Sequence, residues 1–313
     1  MVKSEKAGFI FLINIIFSQV ITDLSFISAK SFGTAGAMVS NPHSIESVFH
    51  NPSGLANLKN KTQLLFGTTL LYGLDFLEHQ YVSASFPKGF AFTYQHLGTS
   101  MKGLNQSDQG LFSSYGFLDD ANGSLSKEKS ISFSQGISLL NDKNSKISIG
   151  YNLNYLILSQ TSSAGPAGDG SNGQASSTIT SYTADLGFYA SLRGKVSFGA
   201  FVKNLSNTEL YKGNGAVTLP RRLDIGISYY ALKSLVTTFA LERVLGSNDN
   251  SFRFGVEYQF NDSFSIRSGV QQKPNRFGIG CSYKFKIFEL SYSLLTHPVL
   301  SESSVFDIKV YFD

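Results

Sequence analysis

The sequence has no tryptophan, a single cysteine, few charges and no second long apolar run, and each absence excludes something. With Cys281 alone, no internal disulfide can form, and no metal-ligand spacing surrounds it. Charged residues make up 15% of the 313, the net charge is +4, and no basic stripe is present, so nucleic acid is not an expected partner. Without tryptophan, any aromatic belt must be built from Tyr and Phe. Beyond residue 29, no stretch approaches the ~20 apolar residues that a spanning helix needs. If this chain crosses a membrane, only a closed barrel satisfies its backbone. Phosphate loops, zinc spacings and calcium loops are also missing, so no cofactor is expected.

What is present is period-two alternation. In Val305-Phe306-Asp307-Ile308-Lys309-Val310-Tyr311-Phe312, the residues Phe306, Ile308, Val310 and Phe312 share one face, and Asp307, Lys309 and Tyr311 share the other. Blocks of this kind recur from early in the chain to its end. The composition fits them, with 27 Phe, 15 Tyr and 29 Gly. Mean hydropathy is −0.02, as expected where lumen residues dilute apolar ones.

The pattern predicts an all-β fold, a transmembrane antiparallel β-barrel of about 14 strands with an N-terminal lumen plug. The strands are expected at 61–71, 77–86, 90–97, 130–140, 146–160, 179–192, 196–205, 221–231, 234–245, 251–260, 263–271, 276–285, 288–295 and 303–312. Long connections, 98–128, 161–177 and one ending at Pro220, alternate with short ones. Outer-membrane barrels show this asymmetry, with long loops outside and short turns in the periplasm. An even strand number places both termini in the periplasm. A soluble β-sandwich also alternates, but its apolar face points inward, and it rarely carries so many aromatics in sequence.

The N-terminus reads as a secretory signal peptide over residues 1–29. Lys3 and Lys6 precede an apolar run at 7–17, and Ser28-Ala29 before Lys30 is the expected cleavage point. An uncleaved anchor is the alternative, and Asp23 weakens it. Residues 30–60 lack period-two order and are rich in small residues, Gly and Pro. They are too apolar for a free tail, so they are expected to fold inside the barrel (61–313) as a periplasmic or lumenal plug. The elements of that segment are Gly33, Gly36, Asn51, Pro52, Gly54 and Leu55.

Face assignment gives expected lumen-lining residues: His50, Arg253, Glu257, Arg267, Lys284, Glu289, Asp307 and Lys309, with Gly255 and Ser291. Both charge signs occur, so mutual pairing that closes the lumen and a ligand site both stay open. Lipid-facing residues are expected at Phe252, Phe254, Val256, Tyr258 and Phe260, and at Ile147, Ile149, Tyr151, Leu153 and Tyr155. Cys281 alternates with Ile279 and Tyr283 and is expected to face lipid. Strand one is ambiguous, since Leu64 and Leu65 point to opposite faces. The five histidines (His43, His50, His79, His96 and His297) form no nucleophile–base–orienter set in sequence, and Asp119-Asp120 reads as a solvated loop tip. No enzyme is expected.

Phe32-Gly33-Thr34-Ala35-Gly36-Ala37, followed by Asn51-Pro52-Ser53-Gly54-Leu55, resembles the opening of the PorV/PorQ-like proteins of the FadL-type outer-membrane superfamily. Later pieces fit in order: Val202-Lys203-Asn204-Leu205, Leu219-Pro220-Arg221-Arg222-Leu223, Phe254-Gly255-Val256-Glu257-Tyr258, Ser268-Gly269-Val270 and Thr296-His297-Pro298. The resemblance implies a fourteen-stranded barrel in the outer membrane of a Gram-negative-type bacterium, with its N-terminus folded into the lumen. It implies two kinds of partner besides outer-membrane lipid: a hydrophobic small-molecule ligand, or a secretion-system or surface protein. The FadL branch has a side portal at a kink in its third strand. Here residues 90–97 carry no Gly or Pro to make one. Three functions follow as expectations: passage of apolar molecules gated by the plug, a protein-binding role in type IX-like surface export, and a structural protein with a sealed lumen.

Overall fold

The structure is a computed structural model and describes residues 26–58, 62–100, 124–160, 175–206, 219–246 and 250–312. Fourteen strands close into one antiparallel barrel, each bonded to its neighbours in chain order, and β14 bonded to β1. The strands are β1 (Thr62–Leu70), β2 (Leu77–Phe86), β3 (Phe90–Ser100), β4 (Ser124–Asn141), β5 (Ser145–Gln160), β6 (Ser177–Leu192) and β7 (Val196–Lys203). They continue as β8 (Arg222–Leu232), β9 (Leu235–Val244), β10 (Asn250–Gln259), β11 (Phe264–Gln272), β12 (Arg276–Phe285), β13 (Phe288–Leu295) and β14 (Ser303–Phe312). Thr62 pairs with Phe312 and Leu70 with Ser304 at closure, so no edge is left unpaired.

The alternation is inverted relative to a soluble protein. In β14, Asp307 is 2% exposed and Lys309 4%, whereas Phe306 is 40% exposed. Apolar side chains therefore face out and polar ones face in, which fits a barrel in lipid and excludes a soluble sandwich. Phe252, Phe254, Ile149 and Leu153 are exposed on the outer face, and Cys281 lies there with Ile279.

Strand boundaries depart from the sequence pattern most at β4, which starts at Ser124 rather than 130. Ser126-Lys127-Glu128-Lys129 is polar on both faces, so it carries no period-two signal. At 16 to 18 residues, β4, β5 and β6 exceed the ~9–11 that span a bilayer. Their outer ends stand in water, where neither face has to be apolar. Gly98 to Ser100 likewise belong to β3 rather than to a loop. Asp119-Asp120 and most of the two long loops lie outside the described residues.

Leu65 resolves the ambiguity of β1. It is fully buried on the lumen side, while Phe66 faces out. Its partners are Ile27, Phe32, Ile45, Val48, Phe49, Leu55 and Leu58 from the chain that precedes the barrel, packed with Tyr81, Ala91 and Val305 of the wall. The barrel thus has an apolar core within its polar lumen.

Candidate functional site

Residues 26–58 lie inside the barrel, and their local chemistry explains their path. The Ser28 side chain accepts from the Ser31 amide (3.4 Å) and caps a short helix, Ala29–Gly33. A turn follows in which Gly36 takes a φ of 79°, with Phe26 and Arg253 packed against it. After the short helix Ser47–His50, Asn51 acts as a staple. Its Nδ2 donates to Val39 O and to Phe188 O of β6, both at 2.8 Å, and its Oδ1 accepts from Ser53 Oγ at 2.6 Å. Pro52 then opens a 3-10 turn running to Leu58. Gly54 lies so close to Pro42 that a Cβ there would overlap it, and Leu55 is fully buried.

The wall that receives this segment is built from glycine. Gly136, Gly150 and Gly187 stand side by side on β4, β5 and β6. A Cβ on any of them would strike residues 51–56. Gly199 and Gly226 are paired on β7 and β8 and meet Val39; Gly255, Gly269 and Gly278 are paired on β10 to β12 and meet residues 32–37. Glycine weakens a strand, so a belt of it at one height marks close backbone approach. Gly33 makes the reciprocal approach, with Arg267 and Ser293 3.2 Å from an ideal Cβ.

Charge completes the seat. Residues 26–58 contain only two charged side chains, Lys30 and Glu46. Both are paired to the wall. Lys30 reaches Glu257 at 3.0 Å, and Glu257 also accepts from Arg267 at 3.2 Å. Glu46 meets Lys309 at 2.7 Å, and Lys309 also lies 3.4 Å from Glu289. Asp307 accepts the Ala29 amide at 2.7 Å and the Tyr81 hydroxyl. Arg253 pairs with Glu242 and holds the Phe26 ring 5.1 Å away. Burial pushes the Glu46 carboxyl up, but Lys309 outweighs that and holds it down at about 2. His50 donates from Nε2 to Ile27 O at 2.9 Å, and burial lowers it to about 4, so it is neutral at pH 7.

Seven of the eight residues expected in the lumen meet here. Arg253 with Glu242, Glu257 with Arg267, Lys309 with Glu289, and Asp307 with Tyr81 stand as separate groups around the segment, and His50 belongs to the segment itself. Lys284 stands apart at the short-turn mouth, its Nζ 4.4 Å from the Tyr311 ring centre. Sequence reading missed Lys30 and Glu46, although their being the only charges in an apolar stretch was a usable signal. It also missed Tyr81, Asp224 and Glu242. Among the described residues, no three potential metal ligands gather. His79 pairs with Gln95 at 3.2 Å, and His297 accepts the Leu300 amide at 2.9 Å, shaping its turn.

The space left beside the segment is polar, and the larger part of it, about 240 Å³, lies toward the short-turn mouth between Lys30, Glu257, Arg267, Glu289 and Lys309. A cavity of about 40 Å³ lies between Val48, Phe49 and the β3–β7 wall, lined by polar groups such as Gln95, Ser130, Asn152 and Asp185. An apolar cavity that holds benzene measures about 150 Å³.

A closed fourteen-stranded barrel with outward-facing aromatics and an occupied lumen defines a membrane-spanning β-barrel. The chain belongs to the family of type IX secretion system membrane proteins PorP/SprF, whose model matches residues 113–299. That match is to PorP/SprF, whereas the opening motifs resemble PorV/PorQ. The toluene transporter TbuX of Ralstonia pickettii is 13% identical with a TM-score of 0.63, over 94% of this chain and 100% of that one. The toluene transporter TodX of Pseudomonas putida is 13% identical with a TM-score of 0.56, over 92% and 98%. A FadL homologue of Pseudomonas aeruginosa is 11% identical with a TM-score of 0.51, over 91% and 98%. At such identities the likeness is one of fold. No curated protein matches the chain. Family and fold together place it in the outer membrane, with the short turns, and so both barrel ends Thr62 and Phe312, on the periplasmic side.

Proposed function

We propose that the chain works in surface export as a sealed outer-membrane barrel that offers its two ends to protein partners, in the manner of the PorV/PorQ branch its opening motifs resemble. In this reading residues 30–60 are a plug, and the role is binding rather than catalysis. The observation that carries it is the seat itself. Backbone-to-glycine contact at one height, with both charges of the segment paired to the wall, fits a plug that stays in place. Deletion of the gene tests this reading. Loss of a defined set of proteins from the cell surface, restored by the full chain, is the expected result. An unchanged surface proteome contradicts it.

A second reading, passage of apolar molecules with the plug as gate, draws on the barrel shared with toluene transporters. It requires residues 33–55 to move, because their backbone packs against the glycines of the wall. Removing residues 33–55 raises permeability to apolar probes if this reading holds and leaves it unchanged if it does not.

A further inference from the structure

The periplasmic rim carries a charge pattern that neither the seal nor the barrel requires. Its short turns present Lys88, Lys143, Arg193, Lys195, Lys233 and Lys286, against the acids Asp142 and Asp262. All six cations are exposed, and none pairs with an acid among the described residues. The net charge of the whole chain is only +4, so the positive charge is concentrated here rather than spread.

Three of these cations sit where turn chemistry disfavours them. Lys88 has φ 72°, Arg193 φ 51° and Lys286 φ 54°. This left-handed region suits Gly, Asn or Asp, and a long side chain there carries a conformational cost. The tight hairpins at Lys88-Gly89 and Arg193-Gly194 require positive φ at both positions, and there Asn or Asp would serve the turn better than a cation. Lys286 lies over the ring of outward-facing Phe285, within reach of headgroups, but two further cations are open only to a soluble partner. Lys146 and Lys284 lie in β5 and β12 on the lumen side, in phase with buried Ser148 and Ser282, so the wall separates them from lipid. A polar space of about 240 Å³ lies at this mouth, where Lys30, Arg267, Lys284 and Lys309 face the acids Glu257, Asp262 and Glu289. A carboxylate side chain has room to enter it.

We propose that the periplasmic rim, Lys88, Arg193 and Lys286 with Lys284 at its mouth, is a docking surface for an acidic segment of a periplasmic protein. Such a ring draws in an acidic partner over a screening length of about 8 Å at physiological salt and sets its orientation. The inference deepens the export reading and rests on it for the partner's identity, but not for the binding chemistry.

The test uses the full chain in phosphatidylcholine nanodiscs, with fluorescein-labelled polyglutamate as probe and anisotropy as readout. Binding that weakens steeply with salt is expected. The triple variant Lys88→Asn, Arg193→Asn, Lys286→Asn should weaken it by roughly tenfold or more. Because Asn tolerates the left-handed region, that variant should melt no lower than the wild type. Lys273→Asn is the matched control: a left-handed lysine (φ 60°) on the opposite rim, whose loss should leave binding unchanged. No binding, or an equal loss in the control, overturns the proposal. Enrichment of phosphatidylglycerol around the wild-type barrel but not the triple variant in mixed-lipid nanodiscs, with equal polyglutamate binding by the two, assigns the ring to lipid headgroups and overturns it too. The assay contains no cells, so a failure here stands apart from a failure of the export reading, which the surface proteome reports.

Discussion

At the scale of single residues, a side chain and a gap are two halves of one device. Gly67 of β1 pairs directly with Tyr81 of β2, and the Tyr81 ring occupies the space a Cβ at 67 would need. The ring's hydroxyl then bonds Asp307, which holds the Ala29 amide. The glycines of the belt repeat the device with backbone in place of a ring. Gly150→Leu therefore sets a side chain against Pro52 and Ser53 and should displace residues 50–56 while the barrel stays closed. Protease cleavage within the segment, with unchanged heat-modified migration of the barrel, is the expected result. Lys309 illustrates the other residue-scale effect. Lys309→Ala leaves Glu46 and Glu289 buried without their cation and should cost about 3–5 kcal/mol. Lys309→Arg should recover most of that, as read by denaturant unfolding in detergent.

At the scale of elements, the strands were legible and the lumen segment, residues 26–58, was legible only in part. Alternation marked β2, β12, β13 and β14 to the residue, because lipid on one side and polar lumen on the other force period two. It failed at the outer end of β4, where both faces are wet. In residues 26–58, Asn51, Pro52, Gly54 and Leu55 stood out as turn formers, but no local signal says which wall they touch. That depends on glycines far along the chain, Gly136, Gly150 and Gly187. The same element titrates. His50 is lowered to about 4 by burial, with Arg253 and Lys203 acting the same way and the Ile27 carbonyl and Glu46 opposing. A lowered histidine contributes stability above its unfolded value near 6.5 and loses it as pH falls toward 4. Glu46, held at about 2, contributes above about 4.5 and loses it below. Both signs agree, so the segment's amide protection factors, each taken relative to the intrinsic exchange rate at that pH, should be lower at pH 5 than at pH 7.5, and His50→Gln should flatten that difference. A further element-scale prediction concerns processing. Phe26, Ile27 and Ser28 are buried, and Ser28 caps the first helix. The mature N-terminus should therefore lie before Phe26 rather than after Ala29, and N-terminal sequencing of the protein from outer membranes reads this directly.

At the scale of the whole molecule, the family-matched stretch and the lumen segment are complementary. Residues 113–299 supply β4 to β13 and most of the glycine belt, while the segment that fills the belt and the β1–β3 wall precede that stretch. The barrel is the part shared with distant proteins of this fold, and the proposed seal adds to the glycine belt a set of contacts between early and late residues: Ala29 with Asp307, Glu46 with Lys309, Ser293 with the Ala29 carbonyl at 2.7 Å. Conductance across a planar bilayer tests that seal most directly. The full chain should give no open-pore steps at moderate voltage, and the same chain lacking residues 33–55 should give stable ones. Steady open-pore conductance from the full chain would contradict the account.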